Sequence, residues 1–380
     1  MATVYRVQVI QIDRPDWVDA LTEAILAEVH ALGLHRSVDI QVGPLPSGNE
    51  PSAAVYFGSP AAAADASCAA AVNDTLANLR VVFPVVDDLA NYSALVPPSL
   101  RPINGWEWVG GDAPQRLARL LLEELGIEER QRSVFISHKR EDGLLAAEQL
   151  HEHLSKHGFD PFIDRFDIRT GIDVQATIAD ALEARAFLLL LETPLAHTSE
   201  YVFDEVDYAL SHTIGLHIVT WPGGPTEVPG SSRLPRQQLT PADLVPLGGF
   251  EVLTDAAVDQ VLAEVEAAHA LALVRRRRSL LRNVEDSTES KGFSCTPLPG
   301  WRLLVQGSDR HDVVGVTGRL PEVADLWRLD NARTTPPGVP SAVLVHAARV
   351  LREERRRLLE WAAGDRPITL VPENAVGGYW

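Results

Sequence analysis

A glutamate in the middle of the chain has surroundings that suit chemistry. Glu205 belongs to the stretch "HTSEYVFDEVDYAL", whose composition is that of an amphipathic helix. Helical spacing predicts a stripe that faces the core, formed by Phe203, Val206 and Leu210. The neighbouring face carries Tyr201, Glu205, Tyr208 and His212. A carboxylate among aromatic rings can reach a cleft, so Glu205 is a candidate functional acid. The alternative is an ordinary solvated helix carboxylate.

Several common chemistries lack their motifs in this sequence. It contains no GxxxxGK[ST] loop, no strand-linked GxGxxG and no GxSxG elbow, which argues against nucleotide binding of the usual kinds and against serine hydrolysis. His153 and His157 have the i,i+4 spacing of zinc ligands but lack the HExxH order and a third ligand. An exposed helix face is the favoured interpretation of this pair, and no metal is expected.

Bulk composition sets the class of protein. With 380 residues, of which 46% are hydrophobic, the chain exceeds one ordinary core. A formal charge of -18 disfavours direct binding of nucleic acid. No apolar run approaches the roughly 20 residues of a membrane helix, and no signal peptide is recognisable at the N-terminus. The two cysteines, Cys68 and Cys295, are far apart. We therefore expect a cytoplasmic globular protein in a reducing compartment.

Strand and helix patterns alternate twice along the chain. The first set is Val4–Ile12, Asp16–Leu32, Val38–Val42, Ala54–Phe57, Ala61–Leu79, Val81–Val86 and Pro114–Leu125. The second set is "SVFIS", Leu144–Lys156, "PFID", Val174–Glu183, "AFLLLLE", a helix from about Tyr201, and "HIVTW". Such alternation predicts parallel sheets covered by helices, an α/β fold.

The third part of the chain has a weaker pattern. A stretch rich in proline and glycine, "WPGGPTEVPGSSRLPRQQLTP", is followed by a long predicted helix from near Asp255 toward Arg282. Beyond a polar linker, "GWRLLVQG", "VVGVTG", a basic helix over Val343–Ala363 and "PITLV" predict a small α/β domain. The predicted division is therefore residues 1–128, 129–284 and 285–380.

Three blocks of the middle domain resemble TIR domains, in the right order, over about Ser133 to Trp221. "VFISHKREDG" resembles the first strand and the loop that follows it. "HGFDPFIDRFDIRTGIDVQATIADAL" resembles the second strand, the BB loop and the next helix. "AFLLLLETPLAHTSEYVFDEVDYAL" resembles the segment that reads S-x-W-x-x-x-E in enzymatic members, with Ser199, Tyr201 and Glu205 at those places. The resemblance implies a flavodoxin-like parallel sheet.

The resemblance also implies a reaction. Enzymatic TIR domains cleave the bond between nicotinamide and ribose in NAD+, and some cyclise the remaining ADP-ribose; their essential glutamate matches Glu205. Nicotinamide leaves as a neutral molecule from a cationic pyridinium, so no general acid is needed. One carboxylate can hold the ribose hydroxyls and stabilise the positive charge that grows on the sugar. NAD+ is then the substrate, and no cofactor is expected.

Further residues are candidates for the substrate cleft. The first strand ends at Ser137, and the loop after it contains His138, Lys139 and Arg140. An animal TIR enzyme resembles this sequence in that loop. Lys139 and Arg140 suit a pyrophosphate, although pairing with Glu141 and Asp142 in a solvated turn is an equal alternative. The resemblance also places Arg169, Thr170, Gly171 and Tyr201 at the cleft, with the Tyr201 ring where the family usually has tryptophan.

The resemblance to TIR domains leaves three alternatives for the function. The first is an NAD+ glycohydrolase that assembles into a homo-oligomer or filament through TIR contacts, in bacterial defence against phage. The second is a noncatalytic scaffold for homotypic interaction, and the third is a cyclase that makes a cyclic ADP-ribose signal. The first domain lacks the serine, aromatic and glutamate pattern, so a noncatalytic TIR-like or flavodoxin-like module for sensing or assembly is expected there.

Two smaller patterns lie outside the middle domain's motifs. Trp106 and Trp108 fall on one face of a strand, which is more typical of a core than of a ligand cage. The run "RRRR", Arg275 to Arg278, is predicted near the end of the long helix, where cations suit the helix dipole. A solvated face is the favoured interpretation of this run, and an interaction patch is the alternative.

Overall fold

The computed structural model describes residues 3–32, 34, 38–44, 50–127, 132–163, 181–298, 300–308, 310–334, 339–347 and 351–380. The chain divides into two compact units. The middle unit comprises Met1–Val4, Val29–Asp39 and Gly126–Arg276. The terminal unit comprises Tyr5–Glu28, Ile40–Leu125 and Arg277–Trp380. The predicted division into three domains stays a prediction.

The N-terminal sheet has five strands in the order β2-β1-β3-β4-β5. Its strands are β1 Thr3–Ile10, β2 Val38–Gly43, β3 Ser52–Phe57, β4 Val82–Val86 and β5 Trp106–Glu107. Its helices are α1 Pro15–Ala31, α2 Pro60–Ala64, α3 Ala66–Ala77, α4 Tyr92–Leu95 and α5 Ala113–Glu124. β1, β3, β4 and β5 pair in parallel, as the alternating pattern predicts.

The helix predicted over Ala61–Leu79 is divided into two helices. Asp65 has an extended backbone between α2 and α3, and its Oδ1 accepts a hydrogen bond from the Cys68 amide at 2.8 Å. The aspartate therefore ends one helix and caps the next, because its side chain satisfies an amide that the new helix leaves open. Alanine-rich sequence on both sides hid this break from the periodicity.

The middle unit contains a five-stranded parallel sheet in the order β10-β9-β8-β6-β7. Its strands are β6 Ser133–Ser137, β7 Asp160–Ile163, β8 Phe187–Glu192, β9 Gly215–Thr220 and β10 Arg236–Gln238. A separate hairpin is formed by β11 Leu244–Leu247 and β12 Phe250–Leu253. The helices are α6 Arg140–Lys156, α7 Glu200–Ser211 and α8 Asp255–Glu289. The α/β class with parallel sheets is confirmed.

The strands of the middle sheet are buried on both faces, which explains their continuous apolar runs. On one face Ile136 and Leu189 pack with Leu150 of α6 and with Val258 and Val261 of α8. The other face is covered by α7, in the cluster of Phe135, Leu188, Leu190, Val202 and Val206. The two layers of helices hold the carboxyl ends of the strands in fixed positions.

A buried ion pair connects α8 with the start of β6. Arg132 donates two hydrogen bonds to the carboxylate of Glu266, at 2.8 and 2.5 Å, and both side chains are almost inaccessible to solvent. The Arg132 guanidinium also lies 4.1 Å from the centre of the Phe159 ring. Breaking such a pair by removing one partner typically costs about 3–5 kcal/mol, so the pair fixes α8 at this register.

The long helix differs from its prediction at its C-terminal end. α8 has 35 residues and continues to Glu289, beyond the predicted end near Arg282. The run Arg275–Arg278 therefore lies inside the helix, and a solvated face is wrong for Arg277. Its side chain is buried, and its guanidinium lies 5.1 Å from the centre of the Trp301 ring. None of the helices in the described ranges is both long and apolar enough to cross a membrane.

The C-terminal sheet of the terminal unit has five strands in the order β13-β14-β15-β16-β17. The strands are β13 Ser294–Leu298, β14 Arg302–Gln306, β15 His311–Thr317, β16 Ser341–His346 and β17 Ile368–Pro372. β13, β14 and β15 pair antiparallel, whereas β15, β16 and β17 pair in parallel. Three helices accompany them, α9 Val323–Arg333, α10 Glu353–Ala363 and α11 Val376–Tyr379. A small C-terminal α/β sheet is as expected.

The predicted helix over Val343–Ala363 is wrong in its first part. Val343 and Val345 lie in β16, with buried side chains, and the helix begins only at Glu353. β-branched residues suit a pleated surface, and sheet pairing on both sides of β16 decided the outcome.

A buried carboxylate in the terminal unit ties α5 to the C-terminal sheet. Glu124 is 4% exposed and accepts a hydrogen bond from the Gly300 amide at 2.7 Å. Trp301 Nε1 donates to the Glu124 carbonyl at 2.9 Å. Burial raises the pKa of Glu124 to about 7, because the Gly300 hydrogen bond and the charges of Arg277 and Arg302 offset only part of the desolvation.

Candidate active site of the middle unit

The candidate site lies where β6 and β8 end. These two strands are parallel neighbours, so the loops that follow them meet at the same edge of the sheet. Ser137 is the last residue of β6 and is 1% exposed. Its Oγ is buried and has no hydrogen-bond partner among the residues that the structure describes. A buried hydroxyl group therefore lies at the edge where doubly wound sheets bind ligands.

Asp142 joins the two loops. From the first turn of α6 its carboxylate accepts hydrogen bonds from Thr193 Oγ1 and from the Leu195 amide, each at 2.8 Å. Gly143 makes this approach close, since a Cβ on it would lie 3.3 Å from His138 Cβ and 3.4 Å from Thr193 Cγ2. The contacts fix the loop after β8 against the start of α6. Asp142 is thus engaged with Thr193 and Leu195.

The basic residues of the first loop have different surroundings. Lys139 Nζ lies 3.2 Å from Glu141 Oε1, the ion pair that the alternative for this loop predicted. Arg140 is exposed at the start of α6, and His138 is half-buried. Because Glu141 is 61% exposed, its pair with Lys139 is easily exchanged for a stronger anion. Both alternatives for Lys139 therefore stay open.

Glu205 lies in the second turn of α7. Ser199 caps the helix by accepting a hydrogen bond from the Val202 amide at 3.4 Å. Glu205 is 5% exposed and shares the inward face of the helix with Val202, Val206 and Ala209. The predicted stripe is therefore wrong for Phe203, which is 40% exposed, while Val206 is buried as predicted. A glutamate on the buried face of a helix is unusual, because such residues are almost never buried without a partner or a role.

Three apolar residues in and before α7 are exposed instead. Leu195 in the preceding loop is 43% exposed, and Tyr201 and Phe203, on opposite flanks of the buried face of α7, are 62% and 40% exposed. The Tyr201 ring thus lies largely in solvent. Two residues predicted beside Glu205 interact with each other, since the rings of Tyr208 and His212 stack at 3.8 Å.

The BB-loop candidates Arg169, Thr170 and Gly171 lie outside the described residues. The preceding strand β7 is described, as are residues 181–185, which are helical. Their predicted role at the cleft stays a prediction.

A second buried glutamate, which sequence reasoning did not single out, fixes the far side of the same sheet edge. Glu192, the last residue of β8, is fully buried. It accepts hydrogen bonds from Arg236 Nε and Thr220 Oγ1, each at 2.9 Å, and from the Val228 amide at 3.1 Å. Burial alone raises its pKa, but the hydrogen bonds from Arg236, Val228 and Thr220 outweigh it, so the pKa lies below the ordinary value. The signal in the sequence was an acid at the end of an apolar strand.

Arg236 completes this second network. Its guanidinium also donates to the Ser231 and Leu234 carbonyls, each at 3.0 Å, and to Ser231 Oγ at 2.7 Å. Arg236 is also the first residue of β10, which pairs with β9. The ion pair therefore holds the segment between β9 and β10 against the sheet.

Aromatic rings occupy much of the corresponding edge of the N-terminal sheet. Trp17 and Trp108 stack at 4.8 Å with nearly parallel rings, and Phe57 meets both edge-on at 5.4 and 5.6 Å. Arg14 lies over Trp17 and forms an ion pair with Asp87. Trp108 packs in this aromatic cluster, which agrees with the core role expected of it.

The arrangement in the middle unit suits stabilisation of a cation. A carboxylate with little access to water interacts strongly with a positive charge, because the surrounding medium has a low effective dielectric constant. The hydroxyl of Ser137 at the same sheet edge offers a neutral hydrogen-bond partner for a ligand. Glu205 and Ser137 thus supply a charge and a donor, and Asp142 and Glu192 fix the surrounding loops.

Comparison with known families identifies the middle unit. Residues 134–251 match the family model of the TIR domain. The chain therefore contains a TIR domain, as the three sequence blocks indicated, and the match extends through β10 to the hairpin. No protein in the curated set matches the chain.

Proposed function

We propose that the TIR domain cleaves the nicotinamide–ribose bond of NAD+ and that Glu205 is its catalytic residue. The observation that carries this proposal is the burial of Glu205 in the helix that follows β8. The burial of this carboxylate strengthens its effect on a nearby cation, because little water is present to screen the charge. The resemblance of the segment from Ser199 to Glu205 to enzymatic TIR domains supports the assignment.

The proposed reaction requires little proton transfer. As the glycosidic C–N bond breaks, its electron pair moves to the pyridinium nitrogen, so nicotinamide leaves as a neutral molecule. Positive charge develops at the ribose carbon and its ring oxygen, where the Glu205 carboxylate stabilises it. Water then adds to the carbon and releases a proton, which gives ADP-ribose. A second carboxylate, which ordinary glycosidases use to protonate the leaving group, is not required.

The remaining candidates have roles in binding. Lys139 and Arg140 would pair with the pyrophosphate of NAD+, with Lys139 exchanging its exposed partner Glu141 for the phosphate. Ser137 would donate its hydroxyl to the substrate, because this hydroxyl has no other partner among the described residues. His138, Tyr201, Arg169, Thr170 and Gly171 are proposed to border the cleft.

The direct test is incubation of the full chain with NAD+, with Glu205→Gln beside the wild type. We expect nicotinamide release to fall at least about 100-fold in the variant, the effect typical of losing one preorganised charge-stabilising group. Glu200→Gln is the matched control, because Glu200 is exposed in the first turn of the same helix. Equal activity of the two variants would remove Glu205 from the mechanism.

Assembly is part of the proposal. A large apolar side chain exposed to solvent can belong to an interaction surface, and the exposed Phe203 of α7 supports contacts between TIR domains. Activity per molecule should therefore rise with protein concentration. Phe203→Ser should weaken this rise, whereas Val323→Ser, an exposed apolar residue of α9, should leave it unchanged. Chromatography of the product separates ADP-ribose from its cyclic form and so decides between glycohydrolase and cyclase.

We further propose bacterial defence against phage as the biological setting. Cleavage of NAD+ on assembly would stop metabolism in an infected cell. Cells that express the wild type should resist phage while cells that express Glu205→Gln should not. Protection that survives this substitution would place the protein outside an NAD+-dependent response.

A noncatalytic scaffold is the second candidate, and one observation favours it. The exposed Phe203 lies on the same helix as Glu205, so the helix could serve homotypic contact while Glu205 serves packing. In that case Phe203→Ser abolishes both self-association and the cellular phenotype, and Glu205→Gln changes neither unless it destabilises the fold. Thermal unfolding of both variants completes the comparison.

A further inference from the structure

A cluster of arginine residues in the terminal unit has no role in the proposed NAD+ site. Arg278 of α8 interacts electrostatically with Arg80, which precedes β4, and with Arg282 one turn further along α8. Glu50, just before β3, is the acid that interacts with Arg278 in the described part of the chain. We call Arg80, Arg278 and Arg282 the arginine cluster.

The acid at the arginine cluster is already shared. Glu50 Oε1 accepts a hydrogen bond from Arg6 Nε at 2.5 Å. Arg80 also interacts electrostatically with Glu50. Asp74 also interacts with Arg80, and Glu285 with Arg282. Among these described residues, four guanidinium groups therefore face three carboxylates, an excess of positive charge in a protein whose formal charge is -18.

One edge of the Arg278 guanidinium has no hydrogen-bond acceptor in the described part of the chain. Its Nε and Nη2 atoms are inaccessible to solvent and have no acceptor among the described residues. These two nitrogens form one side of the planar guanidinium, with hydrogens that point in the same direction. That side matches two oxygens of a carboxylate or phosphate in a bidentate pair. Burial, together with the like charges of Arg80 and Arg282, lowers the pKa of Arg278 to about 10, which indicates how poorly its charge is compensated.

An uncompensated guanidinium destabilises a fold, because its donors lose water and gain no acceptor. Arg275, three residues earlier on the same helix, is exposed and carries no such penalty. The contrast between the two residues indicates that the Arg278 position is built for a partner outside the described residues. A doubly charged tetrahedral anion offers two oxygens to this unpaired edge of Arg278. Its remaining charge would interact with Arg80 and Arg282.

We propose that the arginine cluster binds a phosphate group of a small soluble molecule. One unpaired guanidinium edge suits a single phosphate group. A nucleic acid needs a row of cations, and the acidic chain would repel it. The site lies in the terminal unit and is independent of Glu205, so it does not depend on the proposed NAD+ cleavage.

The test uses the full chain and pyrophosphate as the probe, at constant ionic strength. Thermal unfolding of the wild type should shift to higher temperature as the pyrophosphate concentration rises, because a ligand that binds only the folded state stabilises it. Arg278→Met should lose this shift. Arg275→Met, the matched control, should keep it. Without pyrophosphate, Arg278→Met should be at least as stable as the wild type, since a buried charge without an acceptor has been removed.

Each other result overturns the proposal. An equal shift in the wild type and in Arg278→Met would place the anion elsewhere, and no shift in the wild type would exclude a phosphate site. Should Arg278→Met fail to fold, isothermal titration of Arg282→Gln with pyrophosphate decides, with at least a fivefold weaker affinity expected and an unchanged affinity contradicting the site. Tight binding of a short oligonucleotide that lacks a terminal phosphate, lost in Arg278→Met, would replace the small molecule with a nucleic acid.

Discussion

The N-terminal sheet and the TIR sheet have the same topology and different carboxyl edges. Numbered within each sheet, both have the strand order 2-1-3-4-5. In the TIR sheet this edge carries buried charged and hydroxyl groups, whereas in the N-terminal sheet it carries stacked aromatic rings, with the Arg14–Asp87 ion pair beside Trp17. The same topology thus holds a candidate site in one place and a packed aromatic cluster in the other. Topology decides where a site can be, and the side chains at that place decide whether one exists.

The two edges also differ in what stabilises them. The TIR edge depends on Asp142 and Glu192, whose carboxylates each accept hydrogen bonds from more than one group. The N-terminal edge depends on apolar area and on ring contacts such as that of Trp17 with Trp108. Substitutions should therefore act through unpaired charge at the first edge and through lost packing at the second.

The largest effect is expected at Arg236. Arg236→Met leaves the buried Glu192 carboxylate without its cation, and we expect a loss of about 3–5 kcal/mol in the free energy of unfolding. Denaturant titration measures this loss. Arg233→Met, at an exposed position, should stay within about 0.5 kcal/mol of the wild type. The double variant Arg236→Met with Glu192→Leu should recover much of the loss; an additive or larger loss would contradict the argument from charge.

A second test contrasts Glu192 with the buried carboxylate of the terminal unit. The pKa of Glu124 is raised from its ordinary value of 4.5 to about 7, so the folded state favours the neutral form. The stability that this group contributes is complete below pH 4.5 and is lost as the pH rises to about 7. The loss amounts to roughly 3 kcal/mol.

Glu124→Gln removes this loss, because its amide stays neutral and can still accept the hydrogen bond from Gly300. The unfolding free energy of the variant minus that of the wild type should rise between pH 4.5 and about 7 and stay level above it. Glu123→Gln, at the half-buried neighbouring position, is the control and should give a flat difference. A flat difference for Glu124→Gln would mean that its carboxylate is well compensated, as that of Glu192 is.

Trp108→Ala tests the aromatic edge. We expect a loss of about 2–3 kcal/mol in the free energy of unfolding, somewhat below that of a fully buried tryptophan because Trp108 is half-buried. NAD+ cleavage should be unchanged at temperatures where the variant is folded. Trp361→Ala, at a position that is 79% exposed, should change stability by less than about 0.5 kcal/mol. Lost cleavage in folded Trp108→Ala would give the N-terminal sheet a part in the reaction.

The smallest effect is expected at Asp142, which positions the loop after β8. Asp142→Asn removes the charge and weakens the hydrogen bonds from Thr193 and Leu195, and we expect nicotinamide release to fall about tenfold, equivalent to about 1.4 kcal/mol. The change should appear in kcat more than in KM, since Asp142 does not touch the substrate. Asp207→Asn, on the exposed side of α7, is the control. A pure KM effect would make Asp142 a binding residue.

Local pattern was sufficient for most strands and helices of the two parallel sheets. Strands β3, β4, β6 and β8 are runs of mainly apolar residues, and helices alternate with strands along much of the chain, so the parallel sheets followed from composition and order. The TIR resemblance also led to Ser137, which the structure places at the end of β6, and to Glu205, which it places on the buried face of α7.

What the sequence did not give depends on contacts between distant residues. Arg236 is 44 residues from Glu192, and only the folded sheet brings them together. Phe203 has the type of a core residue, yet the helix turns it outward, because its neighbours Val202 and Val206 occupy the interior. Val343 is a residue type that occurs in helices and in strands. It lies in a strand, β16, because β16 pairs with β15 on one side and β17 on the other.

The attachment of the segment between β9 and β10 has a practical consequence for handling the protein. Glu192 accepts hydrogen bonds from Val228 and Arg236 of this segment. Gly223 and Gly224, which precede these two residues, are exposed and have positive φ. A short affinity peptide inserted between the two glycines would project into solvent without disturbing β9 or the anchored part of the loop. The TIR domain could thus be labelled or immobilised through this loop.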